Sequence, residues 1–112
     1  TPSEDNEQEA VVQYCHLRNI PIVHIPNEGR RTASYAAKLK RMGLQPGFPD
    51  IFIPLARKGY HGLFIELKVG NNKPSREQKD WLARLSSEGY ATTVAWGFDE
   101  AKKNIDKYLD TR

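Results

Sequence analysis

Cysteine is nearly missing from this chain: Cys15 is the single one in 112 residues. That excludes a disulfide within the chain and any cysteine-rich zinc site. Its place in a helical pattern marks Cys15 as a core side chain. Long apolar runs are missing too, none approaching the roughly 20 residues that cross a bilayer, and the acidic start is unlike a secretory signal. The protein is therefore expected to be soluble and intracellular, without a membrane partner. Repeats and low-complexity stretches are absent. So is an initiator Met, which points to trimming or to a cut upstream and leaves room for a flanking domain. No sign of charge dominates, since seventeen Lys and Arg against fourteen Asp and Glu leave a net charge of +3. That balance permits nucleic-acid binding without demanding it.

What is present makes one domain over residues 1–112, long enough for a modest core and short enough to gain from a partner subunit. The charge is unevenly placed. The stretch through Glu9 is acidic, whereas residues 30–41 carry Arg30, Arg31, Lys38, Lys40 and Arg41 with no acid among them. The second stretch is the natural phosphate-facing surface.

The chemistry concentrates in Pro49-Asp50 and Glu66-Leu67-Lys68. Ile51 to Leu55 reads as a strand starting directly after Asp50, Arg57 to Gly62 as a reversal, and Leu63 to Val69 as the returning strand of an antiparallel hairpin. Alternation puts Leu63, Ile65, Leu67 and Val69 on one face and Phe64, Glu66 and Lys68 on the other. With the turn centred near Gly59, Asp50 falls opposite or diagonal to Glu66 and Lys68, close enough to share a ligand. Two carboxylates and backbone oxygens suit a hard divalent cation such as Mg²⁺, which keeps several waters. A lysine beside it can hold or deprotonate an attacking water, or neutralise charge developing on a phosphate. Read separately, the fragments are ordinary: Pro-Asp makes turns, and Glu-x-Lys on a strand is often an exposed ion pair worth little.

Around this hairpin the pattern gives α β α β β α β α, an α/β sandwich on a mixed sheet. Ser3 caps a helix running to about Arg18, with Val11, Tyr14 and Cys15 as its buried stripe. Projecting that stripe backward places Glu4, Glu7 and Gln8 on the same face, so one of these acids reaches the site or all simply complement the helix dipole. Ile20 to Ile25 reads as a strand with Pro21 at its start, and His24 as a half-buried, satisfied histidine. Asn27 to Arg31 is loop, Thr32 caps a short helix through Arg41 that ends at Gly43, and Pro46, Gly47 and Pro49 stiffen the approach to Asp50. Ser75 to Gln78 is a capping box opening a helix that continues through Trp81, Leu82 and Leu85 to Gly89. Gln78 serves either that cap or the site beside it. Tyr90 to Trp96 is the last strand. Asp99 caps a final helix that turns Ala101, Ile105, Tyr108 and Leu109 inward, and His61 belongs to the hairpin surface.

Taken in order, an acidic helix with Glu4 and Gln8, His24 to Arg31, Gly43 to Asp50, Glu66-Leu67-Lys68, and Ser75 with Gln78, Trp81 and Leu82 resemble the PD-(D/E)xK nuclease superfamily. Within it the chain is similar to the virus-type replication-repair nuclease domain, VRR-NUC, over nearly its whole length. The resemblance implies a restriction-endonuclease-like three-layer sandwich with a central mixed sheet flanked by helices. It also implies DNA cleavage dependent on Mg²⁺ or Mn²⁺, with Asp50, Glu66 and the Leu67 carbonyl on the metal and Lys68 assisting the water. Glu4, Glu7 and Glu9 compete for a helix-one acid, and Gln78 joins the catalytic group. Asn27, Arg30, Arg31, Lys38, Lys40 and Arg41 would hold the DNA backbone. Stand-alone members resemble Holliday-junction resolvases and act as homodimers, which implies branched DNA as substrate. A cytoplasmic location follows, that of the host cell if the gene is a phage's. Cutting of flaps or duplex ends, and a DNA-binding module without catalysis, are the alternative readings.

Overall fold

A computed structural model describes residues 3–26 and 32–110. Its elements are α1 (Glu4–Leu17), β1 (Val23–His24), α2 (Ala33–Arg41), β2 (Ile51–Ile53), β3 (Leu63–Lys68), α3 (Arg76–Ser87), β4 (Ala91–Trp96) and α4 (Gly97–Leu109). The sequence pattern predicts that order, and the boundaries follow from local chemistry. Ser3 caps α1 by accepting the Asn6 N–H at 3.1 Å, and Thr32 caps α2 by accepting the Tyr35 N–H at 3.2 Å. At α3 the capping box is complete: Ser75 Oγ accepts from Gln78 N at 3.2 Å, and Gln78 Oε1 accepts from Ser75 N at 2.8 Å.

The strands run β1-β2-β3-β4 across one sheet, antiparallel between the first three and parallel between β3 and β4. Such a parallel pair needs a crossover, which α3 provides. On one face Ile51, Ile53, Leu63, Ile65 and Leu67 pack with Val11 and Cys15 of α1 and Ala101, Ile105 and Tyr108 of α4. On the other, Phe52 stacks on Phe64 at 4.4 Å between ring centroids, with Phe48 and Tyr90 edge-on to Phe64 and Phe48 also against Trp81 of α3. Helices on both faces of a mixed sheet make the α/β sandwich expected from the sequence. None of them is long and apolar enough to cross a membrane.

Three expectations need correction. The strand at Ile20 to Ile25 shrinks to Val23–His24, paired with Phe52 and Ile51. Pro21 has no N–H for a ladder, and Ile20 is buried by the core without being in a strand. The second strand ends at Ile53, where Pro54 likewise withholds a donor. Asp99 does not cap α4. Trp96 holds the cap position with no side-chain capping bond, and the N–H groups at the helix start are taken by other acids: Trp96 N by Glu100 Oε1 of the same helix at 3.1 Å and Phe98 N by Glu7 Oε1 of α1 at 3.0 Å.

Candidate active site

The β2–β3 register pairs Ile51 with Ile65, so one step further sets Asp50 opposite Glu66. The Asp50 side chain takes over the ladder there, its Oδ2 accepting the Leu67 N–H at 2.9 Å. Behind it, the Asp50 carbonyl accepts the Ile25 N–H at 2.7 Å. Asp50 is thereby fixed from two strands at once. The approach to it is fixed as well, because Gly47 lies against the first turn of α3 at a φ of +85°. A Cβ there would come within 2.7 Å of Glu77 and 2.9 Å of the Gln78 nitrogen. Glycine is the residue that tolerates both the backbone angle and the contact.

Glu66 and Lys68 point to the same face of β3 and neither is a solvated strand charge: their residues are 0% and 8% exposed, with Asp50 at 5% and Gln78 at 6%. That overturns the reading of Glu-x-Lys as an exposed ion pair. A buried carboxylate needs compensation, and Glu66 receives it at Oε2, from Lys68 Nζ at 3.6 Å and from Gln78 Nε2 at 3.1 Å. Gln78 serves both the cap and the site. Its Oε1 is held by the Ser75 N–H, which orients the amide so that its nitrogen faces Glu66.

The acids of α1 separate. Glu7 is tied to the start of α4, and Glu9 is exposed. Gln8 instead reaches the site side, its Nε2 lying 2.6 Å from His24 Nδ1, which is 3.2 Å from the Asp50 carbonyl. That carbonyl can only accept, so a protonated Nδ1 serves it and an unprotonated Nδ1 accepts from Gln8. Glu4 precedes Gln8 by one helical turn, on the same face. His24 is more exposed than expected, yet it bridges α1 to the backbone of Asp50. Residue types alone gave no signal for this bridge; the shared face of Glu4 and Gln8 was its trace. His61 lies on the hairpin surface as expected, edge-on to Tyr90. Lys38, Lys40 and Arg41 are exposed on α2, whereas Asn27, Arg30 and Arg31 lie outside the described residues.

Among the described residues no three or more His, Cys, Asp and Glu side chains gather into a cage for a metal. Asp50 and Glu66 are the two protein carboxylates here. Magnesium is commonly held in this way, by one or two carboxylates with waters and substrate phosphate completing its shell.

The VRR-NUC domain model matches residues 3–99. The chain belongs to the VRR-NUC family. A solved VRR_NUC domain protein, 35% identical, superposes with a TM-score of 0.85 over 99% of this chain and 91% of its own. A second solved VRR_NUC domain, 22% identical, shares the fold with a TM-score of 0.65, over 95% of this chain and 97% of the other. No curated protein matches. This VRR-NUC chain is thus a nuclease-type domain.

Proposed function

We propose that this VRR-NUC domain is a structure-specific DNA endonuclease dependent on Mg²⁺ or Mn²⁺, resembling the Holliday-junction resolvases. The observation that carries the reading is the buried group of Asp50, Glu66, Lys68 and Gln78 gathered on one sheet face. Burying two acids and a lysine together is a poor way to gain stability, because desolvation offsets the attraction. A reactive centre needs that arrangement.

Asp50, Glu66 and the Leu67 carbonyl would hold the metal. When bound, the metal supplies charge neutralisation at a scissile phosphate and a lowered pKa for water. Asp50 is held rigid by the Leu67 N–H and Gln78 orients Glu66, so both carboxylates are placed before substrate arrives. The Lys68 ammonium, 3.6 Å from Glu66 Oε2, offsets negative charge as a phosphate is attacked and is close enough to guide the water. Glu4 is the helix-one acid favoured here, since Gln8 on its face reaches the site and Glu7 is committed to α4. Exposed Lys38, Lys40 and Arg41 hold phosphates outside the reaction centre without reading bases.

Each chain carries one such constellation, and paired cuts across a junction need two, which is the argument for a homodimer. The test is incubation of the protein with labelled four-way junction, flap, single-stranded and duplex DNA in Mg²⁺, Mn²⁺ or EDTA, beside Lys68→Ala. Paired, metal-dependent cuts in the junction that Lys68→Ala abolishes are expected. A flap or end preference would keep the nuclease and remove the resolvase assignment. Binding without cleavage of any substrate would overturn the catalytic reading.

A further inference from the structure

The other helices and strands pack on one another, whereas α2 stands outside that packing and has no buried residue. The chain leaves the sheet at Ile25, whose N–H donates to the Asp50 carbonyl at 2.7 Å, and returns to the sheet at Asp50 itself. The excursion that carries α2 thus begins and ends at the backbone of Asp50.

The surface of α2 has two kinds of side chain. Tyr35, Leu39 and Met42 fall on one face at i, i+4 and i+7 spacing, and Tyr35 and Met42 are 52% and 72% exposed. Lys38 lies beside that stripe and Lys40 and Arg41 project from the rest of the helix, α2 contains no acid, and the ion pairs of the described residues involve none of these three cations. A second copy of α2 would cover the apolar stripe only by bringing together two helices that are basic and contain no acid. A polyanion fits the cations, but the outside of a duplex offers phosphates and little for an exposed tyrosine ring. An unpaired nucleotide offers both, a phosphate for the lysines and a base face for the ring.

We infer that α2 is a base-stacking platform, with Tyr35 and Met42 receiving an unpaired base of the bound DNA while Lys38 and Arg41 hold its phosphates. This rests on the nuclease reading for its DNA substrate but not on catalysis, so its test runs without metal or cleavage. Asp50→Asn protein in EDTA is titrated into DNA carrying 2-aminopurine either in a single-stranded gap or within an intact duplex. Stacking should quench the gap probe, Tyr35→Phe should retain the quench, and Tyr35→Ala should abolish it and weaken gap binding about tenfold, with duplex binding unchanged. Equal loss on gap and duplex, or no loss on either, would overturn the platform. So would sedimentation showing that Tyr35→Ala dissociates a dimer, since the stripe would then be a subunit interface. Failure of the nuclease reading would show separately, as absence of cleavage by the unaltered protein in Mg²⁺.

Discussion

The two faces of β3 are equally buried and opposite in character. Leu63, Ile65 and Leu67 look toward α1 and α4 and pack in the apolar core, so each contributes by leaving water. Phe64, Glu66 and Lys68 look toward α3, and along that face the contacts change from stacked rings around Phe64 to a buried acid, amine and amide. Burial alone therefore does not distinguish core from site. The type of compensation does: the aliphatic face needs none, while the other spends the amide of Gln78 and the charge of Lys68 on holding Glu66.

The widest separation of the two faces comes from comparing Asp50→Asn with Ile65→Ala. Asparagine keeps an oxygen for the Leu67 N–H, so cleavage should fall by about 10²- to 10⁴-fold, the usual contribution of a positioned acid or base, with the urea midpoint almost unchanged. Ile65 is fully buried in the core, so Ile65→Ala should cost about 2–5 kcal/mol of stability. Its cleavage, measured where the protein stays folded, should be near normal. Parallel losses of folding and activity in both variants would show that the faces do one job.

A smaller effect sharpens the comparison at Gln78, which links folding to the site. Gln78→Glu keeps an oxygen for the Ser75 N–H but removes the donor to Glu66 and sets a second carboxylate beside it. Mn²⁺ affinity, read by titration calorimetry, should change by about 10- to 100-fold, the range for groups that orient metal ligands. Gln78→Ala should in addition lose about 1 kcal/mol with the cap. An unchanged affinity in both would leave Gln78 as a helix cap alone.

Much of this contrast was legible in the sequence because period-two alternation needs no tertiary information: Ile65 and Glu66 declare opposite faces by their neighbours. The capping box of α3, the Ser3 and Thr32 caps and the helix order were legible for the same local reason. The Gln8–His24 bridge was not, since it joins residues sixteen apart through a strand only two residues long. Nor was the capping of α4 by Glu7, ninety-one residues from Phe98. A helix start shows which groups need a partner, whereas the partner's identity depends on how α1 and α4 pack. The same limit bears on Asp99, which lies inside the first turn of α4 while Glu100 and the distant Glu7 take the N–H groups at its start.

The least effect belongs to an acid on the aliphatic side of the molecule, at the outer seam between α1 and α4. Asp106 accepts from the Tyr14 hydroxyl and pairs with Lys102 at 3.1 Å, with Arg18 at 3.9 Å. Burial is the largest single influence and raises its pKa, but the bonds from Tyr14 and Lys102 and the charges of Lys102 and Arg18 together outweigh it, and the carboxyl is held below its ordinary value. A lowered pKa in the folded state means that the folded protein binds fewer protons, so this stabilisation is present above the ordinary Asp value of about 3.9 and is lost as pH falls through the lowered one. Asp106→Asn should therefore differ from the parent in thermal midpoint at neutral pH, and the difference should close as the solution is acidified. Since the group is partly exposed, salt should shrink it too. A difference that persists unchanged at low pH would mean that Asp106 acts through packing rather than charge.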